Sequence, residues 1–340
     1  MTANSTLDLQ AQVPFAYQVI ARVAARHGFS LDLAPFGGTA ARLEAPGGKV
    51  VHFRHGNLDT NGSGSSDIAR DKQACGYFLA KASIPVPASY GVKRGTADDP
   101  VVRQHLLDFA ATHGWPLVVK PNSLYGGTGV EFVTTTTGLD HAVTRALDLD
   151  KIALVQPFIR GHDLRVVIYA GKLAAAYVRV PPAVLGDGAS TIRQLLDRFY
   201  TDPDRLPDRA ECMARLARRA GSLERIPDVS EQVRLVDAAN IEAGATPIDI
   251  SHTVAPEIVD LAVHATRESG LLLAGVDIIA SGLAFPSLPQ NIPTSTDELK
   301  NTVLEINSAP ELEGFTSLGS EQDQRVFDLY EQIVLEMVSR

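Results

Sequence analysis

A glycine-rich turn follows a lysine at the end of an apolar segment. Leu117-Val-Val-Lys reads as a short strand that ends at Lys120, and Asn122-Ser-Leu-Tyr-Gly-Gly-Thr-Gly-Val follows it. Because glycine has no Cβ, such a turn lets backbone N–H groups approach phosphate oxygens closely. A tight turn that binds no ligand explains the same glycines equally well. Since Val130 to Thr134 is again strand-like, the glycines do not open a helix, which argues against a dinucleotide-binding fold.

Three oxygen-bearing side chains in the C-terminal part could form a metal site. Asp277 lies between apolar neighbours in Gly275-Val-Asp-Ile-Ile, and Glu305 and Asn307 lie on one face of a predicted strand. A carboxylate within an apolar strand is costly unless it is paired or coordinates a metal. Oxygen ligands suit Mg²⁺ that is held together with substrate phosphates. The alternative is a set of polar residues on edge strands that face water.

The elements that must position these residues are mixed helices and strands. Ser66 is the predicted N-cap of a helix that ends before Pro85. Alternation from Asp163 to Val180, interrupted at Gly171-Lys172, predicts a hairpin. Further helices are predicted near residues 15–27, 106–113, 140–147, 192–216, 258–269 and 322–337, and residues 229–247 as loop. Without strict β-α-β alternation, the fold class is α+β with several lobes.

Charge and composition narrow the function. The formal net charge of −9 disfavours general nucleic-acid binding. No apolar run is long enough for a transmembrane helix, so we expect no membrane association. Met1 to Gln12 lacks the pattern of a signal peptide, and we expect a cytoplasmic protein. The two cysteines, Cys75 and Cys212, are interpreted as packing residues.

Taken in order, these segments resemble the ATP-grasp superfamily, most strongly the ligase module of cyanophycin synthetases and bifunctional glutathione synthetases. The resemblance covers about residues 66 to 310, and the ordered set is specific although no single stretch is. The stretches are Ser66…Asp71-Lys72 with Ile84-Pro-Val-Pro, Val118-Val-Lys-Pro, Gly126-Gly-Thr-Gly-Val, Val155-Gln-Pro-Phe-Ile-Arg-Gly-His-Asp-Leu-Arg-Val, Arg179-Val-Pro-Pro, Gly186-Asp-Gly-Ala-Ser-Thr-Ile, Asn240-Ile-Glu-Ala-Gly-Ala, Gly275-Val-Asp-Ile-Ile and Leu304-Glu-Ile-Asn-Ser-Ala-Pro.

The resemblance implies an ATP-grasp fold of three lobes, with ATP held between two α+β subdomains. The expected divisions are residues 1–65, 66–155 and 156–340. It implies that ATP is bound by Lys72, Lys120, Gly126, Gly127, Thr128, Gly129, Gln156, Phe158, Ile159 and Asp163. It implies catalytic roles for Arg165, Arg179 and Lys120, and Mg²⁺ ligands at Asp277, Glu305 and Asn307. ATP and Mg²⁺ are the expected cofactors, and neutralising Asp277 or Glu305 is expected to abolish turnover while leaving the fold intact.

Each role has a simpler interpretation. Lys72 could be a solvated lysine on a helix surface. Arg165 and Arg179 lie on the predicted hairpin and could form surface ion pairs worth less than about 1 kcal/mol. Lys120 is harder to explain in this way, because it ends an apolar strand beside the glycine-rich turn.

The sequence departs from these relatives in the expected substrate loop of Asp237, Asn240 and Glu242. Asp237 and Glu242 replace basic or hydroxyl side chains, and Ala245 replaces a glycine. A carboxylate near the acceptor pocket favours a neutral or basic amine. The large extra domains of the relatives have no counterpart in the 340 residues, so neither polymer nor glutathione synthesis is expected to transfer. Residues 201–230 are the other candidate for specificity.

The function that this resemblance implies is an ATP-dependent carbon–nitrogen ligase. It would join a small carboxylate to an amine, such as amino acids or short peptides, through an acyl phosphate with release of ADP and phosphate. Two alternatives stay open: a nucleotide-binding regulatory or scaffold protein without turnover, and an ATP-dependent enzyme that closes a ring within one substrate. We expect a homo-oligomer.

Overall fold

A computed structural model describes residues 13–34, 39–54, 56–200, 209–219, 223–236, 241, 244–280 and 301–340. Its helices are α1 (Phe15–His27), α2 (Ser63–Arg70), α3 (Lys72–Lys81), α4 (Pro100–His113), α5 (Thr136–Leu149), α6 (Ile192–Phe199), α7 (Arg209–Arg219), α8 (Pro256–Glu268), α9 (Glu313–Thr316) and α10 (Ser320–Ser339). Among these described helices, none combines the length and apolar character that crossing a membrane requires.

The strands form four sheets, and every described pair is antiparallel. The strands are β1 (Ser30–Leu33), β2 (Ala40–Glu44), β3 (Val50–Arg54), β4 (Tyr90–Lys93), β5 (Leu117–Pro121), β6 (Glu131–Val133), β7 (Ile152–Pro157), β8 (His162–Tyr169), β9 (Lys172–Val180), β10 (Ala183–Leu185), β11 (Gln232–Arg234), β12 (Thr246–Asp249), β13 (Leu273–Ala280) and β14 (Asn301–Asn307). Their orders are β1-β2-β3, β4-β7-β5-β6, β12-β9-β8-β13-β14 and β10-β11. Antiparallel sheets combined with separate helices confirm the α+β class.

The five-stranded sheet is buried on both faces. On β8, Leu164, Val166 and Ile168 pack into a core with α2, α3 and α8. Val167 and Tyr169 point to the opposite face, where α1, α10 and the N-terminal strands form a second core. Because side chains alternate along a strand, β8 contributes residues to both cores.

Helices α4 and α5 cover one face of the four-stranded sheet. Val119 on β5 and Val155 on β7 lie in a core with α4 and α5. Their neighbours Lys120 and Gln156 lie on the opposite face, because side chains alternate along a strand. Both are nevertheless buried. This second face forms one wall of a cleft whose other wall belongs to the five-stranded sheet and α3.

Some sequence-based boundaries were wrong. The helix expected from Ser66 begins at Ser63 and breaks at Asp71, whose backbone is extended and whose side chain caps α3. Strand β2 was not predicted, and the segment expected to be loop, residues 229–247, contains β11 and the start of β12. The N-terminal strands pack against α10, so residues distant in sequence complete the core of that lobe.

We expect Leu164→Ala to destabilise the protein by about 2–5 kcal/mol, because Leu164 is fully buried and the smaller side chain leaves a cavity. Leu149→Ala is the matched control, because Leu149 is 50% exposed at the end of α5. Its effect should stay within about 0.5 kcal/mol. Urea unfolding measures both, and equal losses would contradict the assignment of β8 to the buried sheet.

Candidate active site

A row of polar side chains crosses the five-stranded sheet. Tyr177 on β9 is in register with Arg165 on β8, Arg165 with Asp277 on β13, and Asp277 with Glu305 on β14. Arg179 and Asp163 form the next pair along β9 and β8. Since residues in register share a face, these groups converge although they are distant in sequence.

Asp277 is the centre of a buried ion-pair network. Arg165 donates to both oxygens of Asp277, through Nε and through Nη2 at 3.1 Å to Oδ2. The Nη2 atom of Arg179 lies 3.2 Å from the same Oδ2. Arg179 also donates from Nε to Oδ1 of Asp163 at 2.9 Å. These arginines are therefore buried and paired, and their interpretation as surface ion pairs is wrong.

Burial and charge act in opposite directions on the two aspartates. Burial raises the pKa of Asp277, but Arg165 and Arg179 outweigh it and hold the pKa below its usual value. For Asp163, burial outweighs Arg179, and the pKa is raised. Two causes separate the aspartates: Asp277 is held by two guanidinium groups and Asp163 by one, and the charge of Asp277 further raises the pKa of Asp163.

Gly275 makes room for the network. A Cβ atom at this position would lie 2.9 Å from Cβ of Pro310 and 3.0 Å from Cδ of Arg165. The Arg165 side chain therefore extends across β13 where only glycine leaves space.

Lys72 lines the cleft from α3, whereas Lys120 lies on β5 of the opposite sheet, near enough for the charges of Glu305 and Lys72 to act on its ammonium group. Lys72, the first residue of α3, places Nζ 3.5 Å from Oε2 of Glu305 and donates to the Leu124 carbonyl at 2.5 Å. Its side chain is only 10% exposed, so the interpretation of Lys72 as a solvated lysine is wrong. The side chain of Lys120 has no hydrogen-bond or ion-pair partner among the described residues. Burial lowers its pKa, and the charge of Glu305 acts against this shift.

A small cleft lies between these walls. Its lining residues are Lys72, Cys75, Gly76, Leu79, Val86, Pro87, Ser89, Gln156, Leu304 and Glu305. Sequence reasoning missed most of the apolar side, although Lys72, Cys75, Gly76 and Leu79 have the i, i+3, i+4, i+7 spacing of one helix face. Cys75 is buried as expected for packing, and this burial raises its pKa to about 11, which keeps the thiol protonated.

The glycine-rich turn links β5 to β6. Gly126, Gly127 and Gly129 have φ values of 70°, 72° and 71°, a conformation that side chains with a Cβ disfavour. A Cβ on Gly129 would also lie 2.8 Å from Leu149 and from Pro121. Backbone geometry alone therefore requires these glycines, and their contact with phosphate stays a prediction.

At the expected adenine edge, the Phe158 N–H donates to the Pro116 carbonyl at 3.1 Å. This donor is engaged, which leaves the Phe158 carbonyl and the backbone of Ile159 as the candidate contacts. The Phe158 ring lies 5.0 Å from the Phe132 ring. The Gln156 amide, on a residue only 6% exposed, has no hydrogen-bond partner among the described residues and lines the cleft.

The expected metal ligands lie on adjacent strands. Asp277 and Glu305 are in register, and Nδ2 of Asn307 lies 3.5 Å from Oδ2 of Asp277. In the part of the chain that is described, no three His, Cys, Asp or Glu residues form a metal cluster. Two carboxylates and an amide still fit Mg²⁺, which takes few protein ligands and completes its shell with phosphates and water. Asp277 would share its oxygens with two arginines.

This arrangement changes the expectation for Asp277→Asn. Neutralising this carboxylate would leave the buried Arg165 guanidinium without its charged partner and Arg179 with Asp163 alone. Breaking a buried ion pair in this way typically costs about 3–5 kcal/mol. The substitution therefore perturbs the fold as well as the site. Glu305, with 24% of its side chain exposed, is the better position for a neutralising substitution.

The expected substrate loop falls largely outside the described residues, and this includes Asp237, Asn240 and Glu242. Within it, Ile241 packs against the core that contains α10. A Cβ at Gly314 in α9 would lie 2.6 Å from Cγ2 of Ile241. This part of the loop therefore lies against α9.

Comparisons with known proteins agree with the geometry. Residues 78–181 match the family of the D-Ala–D-Ala ligase C-terminus. Cyanophycin synthetase from Trichormus variabilis is 28% identical over 74% of this chain and 27% of its own length. A bifunctional glutathione biosynthesis protein from Streptococcus mutans is 28% identical over 77% of this chain and 35% of its own length. The chain thus spans about a third or less of these relatives.

A solved bifunctional glutathione synthetase from Pasteurella multocida shares the fold, with a TM-score of 0.51 and 21% identity over 88% of this chain and 40% of that one. The resemblance to ATP-grasp ligases is therefore confirmed, and the fold is the ATP-grasp fold. Within that class, the sequence is similar to cyanophycin synthetases and to bifunctional glutathione biosynthesis proteins.

We expect Gly275→Ala to destabilise the protein by about 1–3 kcal/mol, because the added methyl group overpacks the space beside Arg165 and Pro310. Gly64→Ala is the control, since a Cβ there would meet nothing within 4 Å and alanine favours the helix α2. Thermal unfolding should show a loss for the first variant and no loss for the second. Tolerance of Gly275→Ala would contradict the tight crossing of Arg165 over β13.

Proposed function

We propose that the protein is an ATP-dependent carboxylate–amine ligase that forms an amide or peptide bond through an acyl phosphate and releases ADP and phosphate. The observation that carries the proposal is the convergence of the Arg165–Asp277–Arg179 network with Lys72 and Lys120 beside one cleft. Phosphoryl transfer requires positioning and charge neutralisation more than covalent help from the protein.

The charges of the cleft suit an anionic ligand. In or beside it lie four basic side chains, Lys72, Lys120, Arg165 and Arg179, and three carboxylates, Asp163, Asp277 and Glu305. A phosphate beside the Lys120 ammonium, which has no partner among the side chains described, would favour its charged form and raise its pKa towards the usual value. Binding of a triphosphate would therefore relieve the cost of burying Lys120.

The proposed nucleotide position follows the lining of the cleft. Gln156 would bind the adenine amino group, and the Phe158 carbonyl and Ile159 backbone would meet the edge of the ring. Asp163 would hold the ribose. Lys72, Lys120 and the turn that contains Gly126, Gly127, Thr128 and Gly129 would bind the phosphates. Gln156 has a buried amide available for such a contact.

Asp277, Glu305 and Asn307 would hold Mg²⁺, which neutralises phosphate charge when it is bound. Arg165, Arg179 and Lys120 would act on the reacting groups. Their positive charges would stabilise the γ-phosphoryl group as it passes to the substrate carboxylate. The burial of both guanidinium groups strengthens this effect, since water screens them little.

The reaction then proceeds in two steps. A carboxylate oxygen attacks the γ-phosphorus, and ADP leaves with the electrons of the broken bond. The amine attacks the acyl carbon, loses a proton and displaces phosphate. Because the relatives are named for making cyanophycin and glutathione, we propose that the substrates are amino acids or short peptides.

We expect ADP and phosphate, and not AMP and pyrophosphate, when the protein is incubated with Mg-ATP and a productive pair of substrates. A screen of paired carboxylic acids and amines, read by phosphate release and by mass spectrometry of the products, finds that pair. Glu305→Gln is the control, because it removes one charge from the proposed metal site and should lower the rate at least 100-fold, about 3 kcal/mol. AMP formation would exclude the acyl-phosphate route, and a near-normal rate for Glu305→Gln would exclude the proposed ligand.

The turn at residues 123–129 should lose amide-exchange protection in the absence of nucleotide and gain it with a non-hydrolysable ATP analogue and Mg²⁺. Its backbone makes few hydrogen bonds of its own, among them Thr128 N–H to the Tyr125 carbonyl at 3.3 Å. Loops that close over a ligand are drawn from such weakly held segments. Equal protection in both states would count against closure over phosphates.

A further inference from the structure

The end of β5 and the start of α3 are joined by the side chain of Asn122, which is 3% exposed. Oδ1 of Asn122 accepts from the Gln73 N–H at 2.9 Å, and Nδ2 donates to Oδ1 of Asp71 at 2.8 Å. The same Asp71 oxygen accepts from the Ala74 N–H at 2.9 Å. Asn122 and Asp71 together therefore satisfy two of the free N–H groups in the first turn of α3.

The backbone of Asn122 extends this junction. Its N–H donates to the Ile152 carbonyl at 3.1 Å, and its carbonyl accepts from the Lys72 N–H at 3.2 Å. Asn122 continues a strand of the four-stranded sheet, whereas α3 packs with Cys75 and Leu79 into the core of the five-stranded sheet. The Asn122–Asp71 pair thus connects the two walls of the cleft.

Two groups of the proposed phosphate site adjoin this junction. Lys72 lies between Asp71 and Gln73, and its Nζ donates to the Leu124 carbonyl at 2.5 Å and lies 3.5 Å from the Asn122 carbonyl. The glycine-rich turn begins directly after Asn122. A displacement of Asn122 relative to Asp71 would therefore move the Lys72 ammonium and the start of the turn relative to each other.

We propose that Asn122 is a positioning residue which, through its pair with Asp71, fixes the Lys72 ammonium relative to the glycine-rich turn and thereby sets the affinity for the nucleotide phosphates. This inference rests on the proposed function, since it takes a nucleoside triphosphate as the ligand. Neither Asn122 nor Asp71 touches that ligand. They act through Lys72 and the turn.

The chemistry of the pair provides an exchange test. Asn122→Asp places two carboxylates where a donor faced an acceptor, so one bond becomes a repulsion. Exchanging the two side chains, Asp71→Asn with Asn122→Asp, replaces the repulsion with a donor that faces an acceptor. Because one oxygen of Asp71 accepts from both Asn122 and the Ala74 N–H, the amide introduced at position 71 must turn so that Nδ2 donates to the carboxylate at position 122 while Oδ1 caps the Ala74 N–H. That carboxylate would still accept from the Gln73 N–H.

The experiment measures the dissociation constant of a non-hydrolysable ATP analogue with Mg²⁺ for the full chain, by calorimetry. We expect Asn122→Asp to weaken binding at least tenfold and the exchanged double variant to bind at least about threefold more tightly than Asn122→Asp. Asn122→Ala, which removes both bonds without adding a charge, should weaken binding by an intermediate amount. If Asn122→Asp does not fold, Asn122→Ala tests the proposal in its place.

The proposal is overturned if the double variant binds as weakly as Asn122→Asp, or if Asn122→Asp and Asn122→Ala both bind normally. Amide exchange of residues 72–75 without nucleotide gives an independent readout. Protection there should fall in Asn122→Asp and return in the double variant. If the natural protein does not bind the analogue, the proposed function fails. The amide-exchange measurements still test whether the Asn122–Asp71 pair holds the start of α3.

Discussion

The buried contact between Asp277 and the two arginines is the constraint on which the site depends. Removing these charges from water is costly, and the cost is offset only because both Asp277 oxygens accept good hydrogen bonds. The register of β8, β9 and β13 supplies that geometry, and Gly275 leaves the space for it. Compared with an apolar core of the same size, such a network typically adds little to the free energy of unfolding.

Lys72 and Lys120 add two positive charges near the arginine network. Lys72 is held by Glu305 and by the carbonyl of Leu124, whereas Lys120 is buried without a described partner. Within the described part of the chain, one of these two neighbouring lysines is therefore paired and the other is not.

The glycine-rich turn and α3 meet where the two walls join. The helix breaks at Asp71 because that residue is extended and turns its carboxylate back onto the first turn of α3. The same carboxylate accepts a hydrogen bond from Asn122, so the cap of α3 also joins this helix to the four-stranded sheet. The capping of α3 and the geometry of the cleft therefore depend on the same side chain, that of Asp71.

The sequence by itself determined the elements with strong periodicity and the residues with unusual chemistry. Alternation from Asp163 to Val180 predicted the hairpin, and the ordered motifs identified the fold. Of the residues that line the cleft, Lys72, Gln156 and Glu305 were candidates from the sequence. Only the tertiary structure decided which charges meet: Arg165 and Asp277 are 112 residues apart. It also showed that the Phe158 N–H is engaged and that Cys75 faces the cleft. Pairing and burial depend on strand register and on packing between distant segments, which local patterns do not encode.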